Sequence, residues 1–203
     1  LKRGGVKMKN YCLTLVSVII LMISPWAVFA VQNDTGAATV YKVTVTKFEM
    51  YNGSSWITVS DGSSTVMDIA SVTAGQVAGN FFSGLNVPDG SYTQVRVTIS
   101  PSFTISGSVG SDGSTIYTTA TLSGGACVSS ASSANQAECT VSVPGGLPDP
   151  TADVLPTTLV ITGGVPSHKI RVNFDVGAAV QEGAGETLVP GNPTVTMQMI
   201  ALQ

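Results

Sequence analysis

Histidine, cysteine and charged side chains are all scarce in this chain of 203 residues. It contains one histidine and three cysteines, and 10% of its residues are charged. A zinc centre needs three or four nitrogen or sulfur ligands, which these residues do not supply. A Ser/His/Asp site needs two partners for its histidine, and no spacing around His168 indicates them, so we expect an exposed turn residue there. We therefore predict no enzyme activity and no cofactor.

The low charge accompanies many Ser, Thr, Gly and Val residues. Disordered chains combine high charge with few apolar residues, whereas 43% of this chain is hydrophobic. Many β-branched residues together with little charge favour an all-β fold. Its strand edges would then carry few of the charged side chains that normally prevent edge-to-edge pairing.

The N-terminal residues have the pattern of a secretory signal peptide. A basic stretch begins at Met8, an apolar run covers residues 11–22, and residues 28–30 (Val-Phe-Ala) end in the small residue that a signal peptidase requires. We therefore predict that residues 1–30 are a leader and a helical signal peptide. The alternative is a retained membrane anchor, because residues 11–30 carry no charge.

Cleavage between Ala30 and Val31 would export residues 31–203 to the cell surface, the medium or the periplasm of a prokaryote. Five basic and twelve acidic residues remain after cleavage, which gives a net charge of −7. A segment this acidic lacks the positively charged surface that binds nucleic acid, and it has no basic face for anionic lipid. We expect neither a nucleic-acid partner nor stable membrane insertion after cleavage.

The first strand pattern of the exported segment covers residues 39–51. Tyr41, Val43 and Val45 alternate with polar residues and so share one predicted face. The pattern then shifts by one residue before Phe48, which is what a β-bulge produces.

A hairpin is predicted to follow at Asn52-Gly53, because both residues accept the positive φ of a tight turn. On the return strand, alternation places Ile57 and Val59 inward. Trp56 then points outward, with its ring exposed.

Further short strands follow, separated by turns such as Pro88-Asp89-Gly90. Their predicted inward residues are Val95, Val97 and Ile99 in one strand, Ile170, Val172, Phe174 and Val176 in a second, and Val195, Met197 and Met199 in the last. Many short strands without a long helix predict an all-β fold, a single antiparallel β-sandwich of the immunoglobulin or prealbumin type.

Several segments resemble a family of bacterial exported β-sandwich domains of unknown function, which is similar to prealbumin-like and carbohydrate-binding-like sandwiches. They are VTKFEMYNGSSWITV, TVMDIA, LNVPDGSYTQVRVTI, IRVNFDV and LVPGNPTVTM, in that order. The most recognisable is the Pro-x-Gly-x-Tyr-Thr turn at Pro88–Thr93. The resemblance covers most of residues 40–200 and implies fold and export, but no activity.

The chain departs from that family in two places. Members are often lipoproteins, yet no lipid-accepting cysteine follows this leader. The segment around residues 103–150 is also longer than the family pattern, which indicates an insertion. Cys127 and Cys139 lie in it, and as the two cysteines left after cleavage of an exported protein they are expected to form a disulfide that closes the insertion.

Two interaction sites are predicted. Sparsely charged strand edges favour self-association and a structural or interaction role at the cell surface. The alternative is a carbohydrate-binding module that binds surface polysaccharide on an exposed aromatic platform, formed by Trp56 with Tyr51 and Tyr92 nearby.

A calcium site and an isopeptide bond are two further alternatives. The turns at residues 60–63, 88–91 and 111–114 each offer one Asp carboxylate, whereas calcium takes six to eight oxygens, so ordinary turns are expected. An isopeptide bond from Lys42 or Lys47 to Asn173 would need all its groups buried, but alternation places Asn173 on a polar face.

Overall fold

A computed structural model of the chain describes residues 34–62, 66–71 and 87–202. These residues form sixteen strands, one 3₁₀ turn at Ser133–Asn135 and no α-helix. The all-β prediction is therefore confirmed. The predicted signal peptide and its cleavage site at Ala30 and Val31 lie outside the described residues.

The strands, numbered in chain order, form three sheets, and all their pairs described here are antiparallel. The nine-stranded sheet contains β1 (Thr35–Gly36), β2 (Ala38–Val43), β5 (Met67–Asp68), β7 (Ser102–Ser111), β8 (Ser114–Ser123), β9 (Ala126–Ser130), β10 (Cys139–Ser142), β14 (Val180–Gly183) and β15 (Thr187–Pro190). The five-stranded sheet contains β3 (Val45–Tyr51), β4 (Trp56–Asp61), β6 (Gly90–Ile99), β11 (Asp153–Thr162) and β12 (Val165–Pro166). The two-stranded ribbon contains β13 (His168–Asp175) and β16 (Thr194–Ala201).

The nine-stranded sheet closes on itself through the N-terminal part of the described chain. β1 pairs with β14, and after Ala37 the same chain continues as β2, which pairs with β7. β7, β8, β9, β15 and β14 are joined in turn by hydrogen-bonded pairs. The path therefore returns to β1, and the strands form a ring.

Close backbone approach makes this closure possible. A Cβ atom on Gly36 would lie 1.9 Å from the carbonyl oxygen of Ser108, and one on Gly107 would lie 2.5 Å from that of Ala37. No real side chain tolerates such distances to a backbone atom, so both positions require glycine.

The single strand predicted over residues 39–51 is two strands in different sheets. The chain leaves the ring at Thr44 and enters the five-stranded sheet at Val45. The predicted shift in phase is confirmed, because the register changes between Val45 and Lys47 and again between Phe48 and Glu49.

Two clusters of buried side chains form the core. The larger fills the ring and includes Tyr41, Ile105, Val109, Val180 and Leu188. The smaller lies under the five-stranded sheet and includes Met50, Tyr92, Val95, Leu155 and Leu159. The ribbon packs on both clusters, with Phe174 against the larger one and Ile170, Met197 and Met199 against the smaller.

The predicted inward residues mostly follow this division. Ile57 and Val59 pack against the smaller cluster, and Val95 is buried, as alternation predicts. The prediction for Val97 is wrong: its side chain is 37% exposed, because it lies at the margin of the cluster opposite the half-buried Phe48.

The segment around residues 103–150 contains four strands of the nine-stranded sheet, β7 to β10. β8 and β10 follow one another along the same edge of β7. The fully buried Thr118 bridges the gap between them, since its hydroxyl accepts from the Gly107 N–H and donates to the Ala137 carbonyl.

Cys127 and Cys139 form the predicted disulfide inside the larger cluster. The bond links β9 to the first residue of β10, two strands that do not pair with each other. The enclosed segment is ordered rather than structureless. Gln136 donates to Thr39 and Ser106, and Glu138 pairs with Lys42 at 2.6 Å.

Removing this disulfide should destabilise the fold. The disulfide joins two residues that are 12 positions apart in the sequence. Closing such a loop lowers the entropy of the unfolded chain and so contributes about 3 kcal/mol to the free energy of unfolding. We expect the Cys127→Ala/Cys139→Ala variant to lose about that much free energy of unfolding in denaturant titrations of residues 31–203. Reductant should destabilise the wild type but not the variant; equal stability of the two proteins without reductant would contradict the assignment.

Candidate functional site

The outer face of the five-stranded sheet holds two of the three residues predicted to form an aromatic platform, Trp56 and Tyr51. The strand register aligns one residue from each of four adjacent strands in a row across the sheet. In the order β4, β3, β6, β11, this row consists of Trp56, Tyr51, Gln94 and Val154. None of them belongs to the buried clusters, so their side chains lie on the face that points away from the core.

Trp56 is held between two neighbours. The ring centroids of Tyr51 and Trp56 are 5.3 Å apart with an interplanar angle of 47°. The guanidinium carbon of Arg96 lies 4.3 Å from the centroid of the Trp56 ring, which is a cation–π contact. The hairpin predicted at Asn52-Gly53 produces the aromatic pair, because Tyr51 and Trp56 face each other across its turn. The predicted outward position of Trp56 is consistent with this arrangement, whereas its ring is half-buried rather than exposed as predicted.

Arg96 is fixed in turn by Glu49. Its Nε and Nη2 atoms donate to the two carboxylate oxygens of Glu49 at 2.6 and 3.0 Å. Lys47 adds a second cation at 2.9 Å from the same carboxylate. A bidentate pair of this kind restrains both side chains, so Arg96 holds the Trp56 ring in one orientation.

The environment of Glu49 strongly favours its charged form. Glu49 is only 5% exposed, because the side chains of Arg96 and Lys47 cover it. The hydrogen bonds from Arg96 lower the pKa of Glu49 to about 2; burial opposes this shift, and Lys47 reinforces it. The carboxylate is therefore a structural anchor beneath the exposed row.

Tyr92 does not join the exposed pair. It is 1% exposed within the smaller cluster, and its hydroxyl donates to the Pro88 carbonyl at 2.8 Å. The turn is fixed further by Asp89, whose carboxylate accepts the backbone N–H groups of Gly163 and Gly164. These two hydrogen bonds lower the pKa of Asp89. The Pro-x-Gly-x-Tyr motif thus has a structural role, tying the β6 entry to the β11–β12 turn.

The β13–β16 ribbon provides a second candidate surface. The two strands pair over eight residues each, and in the described part of the chain neither has another strand partner. The Leu202 N–H donates to the Ser167 carbonyl, so the backbone groups of Leu202 point towards β13. By the antiparallel alternation, the backbone groups of Val195, Met197 and Met199 then point to the free edge of β16.

The lysines considered for an isopeptide bond have other partners. Lys42 pairs with Glu138 and Lys47 with Glu49, while Asn173 lies opposite Thr196 in the ribbon. The His168 ring contacts the hydroxyl of its neighbour Ser167 at 2.9 Å. Among the residues that the structure describes, no three His, Cys, Asp or Glu side chains are grouped to hold a metal ion.

Sequence reasoning missed the side chains that organise these surfaces. Glu49 and Arg96 are 47 residues apart and meet only through the β3–β6 register. Thr118 and Glu182 are two further buried polar residues, and Glu182 accepts a hydrogen bond from Ser111 at 2.9 Å. The only available signal was an acidic residue between two apolar positions in KFEMY, which alternation alone places on an exposed face.

Comparison of the chain with protein-family models, curated proteins and solved structures finds no match. The multi-sheet all-β architecture is compatible with a sandwich, while membership of the exported bacterial family stays a prediction. Over the described ranges, no helix has the length and apolar character needed to cross a membrane.

Lowering the pH should destabilise the folded protein by protonating Glu49. In the folded protein the pKa of Glu49 is lowered from 4.5 to about 2, so the ionised carboxylate stabilises the fold at any pH above the pKa of the unfolded state. This stabilisation is lost as the pH falls from about 5 to about 2. We expect the Glu49→Gln variant to lose about 2 kcal/mol at neutral pH and to show a flatter stability profile below pH 5, measured by denaturant unfolding.

Glu138→Gln is the matched control. It removes the exposed Lys42–Glu138 pair, and such surface pairs contribute less than about 1 kcal/mol. Equal losses for the two variants, or an unchanged acid profile in Glu49→Gln, would contradict the assigned role of Glu49.

Proposed function

We propose that residues 31–203 form one exported, sandwich-like domain with a structural or interaction role and no enzyme activity. It would act at the cell surface, in the medium or in the periplasm, by pairing a strand edge with another copy of the chain. The signal-peptide pattern and the buried Cys127–Cys139 disulfide support export, since such bonds persist in oxidising compartments. Among the described strands β16 pairs with β13 alone, and this open edge of β16 is the observation that carries the proposal.

β16 has the properties of an edge open to strand addition. Its eight residues, TVTMQMIA, contain no charge, proline or glycine. Met197 and Met199 are half-buried against the smaller cluster, so the strand is anchored on one face, while Thr196 and Gln198 are exposed on the other. An uncharged edge of this length offers a row of unpaired backbone groups to an incoming strand.

The other edges are shorter or better protected: β5 and β12 have two residues each and β10 has four. β13 carries Lys169, Arg171 and Asp175, and such charges oppose strand addition. β4 ends in Asp61 and is paired with β3 through a register shift, which twists the edge. β16 is therefore the edge that best fits a partner.

A second copy of the chain supplies a partner with the same properties. Two β16 strands can pair antiparallel about a twofold axis, which is the commonest symmetry of homo-oligomers. Backbone hydrogen bonds then provide affinity, and the facing Thr and Gln side chains are compatible with one another.

Light scattering coupled to size-exclusion chromatography tests this association. We expect the mature protein to exceed the monomer mass in a concentration-dependent way and the Thr196→Lys/Gln198→Lys variant to remain monomeric, because lysines on an edge repel each other across the twofold axis. The control variant Ser91→Lys/Thr93→Lys places the same charges on β6, which is paired on both edges, and should associate like the wild type.

A wild type that is monomeric at every concentration would contradict the proposal. So would association of the edge variant at wild-type strength. Equal disruption by the β6 control would assign the effect to net charge rather than to the β16 edge, and would also overturn it.

A further inference from the structure

Strand pairing at the β16 edge does not involve the row on the five-stranded sheet, which consists of Trp56, Tyr51, Gln94 and Val154. This row crosses four neighbouring strands at right angles to their direction. Because adjacent strands lie about 4.8 Å apart, the row extends over roughly 14 Å. This length corresponds to a surface for an extended ligand rather than a pocket for a small one.

The row is open to solvent. Val154 is 62% exposed, and Trp56, Tyr51 and Gln94 are half-buried by one another and by their neighbours. Two aromatic rings and an aliphatic side chain are thus aligned on the outer face of the sheet.

The charges of this face select an uncharged ligand. The row itself carries none. Beside it, Arg96 and Lys47 share the carboxylate of Glu49, and the Asp149 carboxylate also acts on Arg96, so two cations are balanced by two carboxylates. The exported chain as a whole has a net charge of −7, which repels an anionic polymer. No unpaired carboxylate lies in the row to attract a cationic one. Charge complementarity therefore favours a neutral partner.

The side-chain chemistry matches a sugar chain. A pyranose ring has an apolar face of C–H groups, which stacks on an aromatic ring, and a rim of hydroxyl groups. The amide of Gln94 both donates and accepts hydrogen bonds, so it fits hydroxyl groups at the rim. Aromatic surface combined with a few convergent polar groups is the usual composition of such ligand sites.

Arg96 is a positioning residue for this surface. It covers one face of the Trp56 ring and is itself fixed by two hydrogen bonds to Glu49. The ring orientation is thus set before any ligand arrives, which lowers the entropy lost on binding.

We propose that this row binds an uncharged polysaccharide whose chain runs across the strands from Trp56 towards Val154. The aromatic pair stacks on sugar rings, Gln94 binds their hydroxyl groups, and Val154 packs against the far end. This is a binding function that is separate from the β16 edge and does not depend on it.

Retention on insoluble uncharged polysaccharides tests the proposal, with cellulose, chitin and starch as probes. We expect the wild type to be retained on at least one of them and the retention to persist as salt concentration rises, since no ion pairs form. Trp56→Ala and Val154→Asp should each weaken retention by about tenfold or more, as expected for the loss of one well-packed contact.

Val160→Asp is the matched control for Val154→Asp. Val160 lies on the same strand, is 40% exposed and is outside the row, so its variant should be retained like the wild type. The edge variant Thr196→Lys/Gln198→Lys should also be retained, which separates this site from self-association.

Three results would overturn the proposal. They are a wild type that none of the probes retains, retention that salt abolishes, and loss on Trp56→Ala with unchanged retention of Val154→Asp, which would confine any site to the aromatic pair. Circular dichroism spectra of each variant identify losses caused by misfolding, and Val160→Asp shows whether an added carboxylate on β11 is itself disruptive.

Discussion

The approach of the Gly36 backbone to that of Ser108 is the constraint on which the rest of the structure depends. Because the two backbones lie so close that a Cβ atom would not fit between them, one short segment can pair with β14 before Ala37 and with β7 after it. The pairing closes the nine-stranded sheet into a ring and encloses the larger core cluster. The disulfide and the Thr118 hydroxyl then hold the opposite part of the ring, where β10 replaces β8 along β7.

The same chain connects this closure to the exposed face. After closing the ring, it passes through Thr44 directly into β3, the strand that carries Glu49 and Tyr51. Glu49 fixes Arg96, and Arg96 fixes Trp56. The orientation of the aromatic row is therefore set by a continuous series of backbone and side-chain contacts that begins at the N-terminal end of the described structure.

Local patterns predicted what depends on neighbouring residues. The alternation around Ile57 and Val59 and the turn at Asn52-Gly53 are properties of one hairpin, and they placed Trp56 beside Tyr51 correctly. The expectation of export, with two cysteines left after cleavage, likewise predicted the disulfide without any knowledge of the fold.

Features that depend on pairing between distant strands could not be predicted. The phase shift after Val45 was visible, but the sequence did not show that the chain changes sheets there. Tyr92 was expected near the surface pair and lies in the core instead, where it is paired with Leu159 of the neighbouring strand β11 in the smaller cluster. Glu49 was not expected to be buried, because its partner Arg96 is fixed only by the β3–β6 register.

Ring closure is tested most directly by comparing the stabilities of two glycine-to-alanine variants. Gly36→Ala places a methyl group against the Ser108 carbonyl, whereas Gly110→Ala, also in the ring, places one in open space. Closure at Gly36 predicts a loss of about 3 kcal/mol or more of unfolding free energy for the first variant and little change for the second. Equal stability of Gly36→Ala and Gly110→Ala would contradict it.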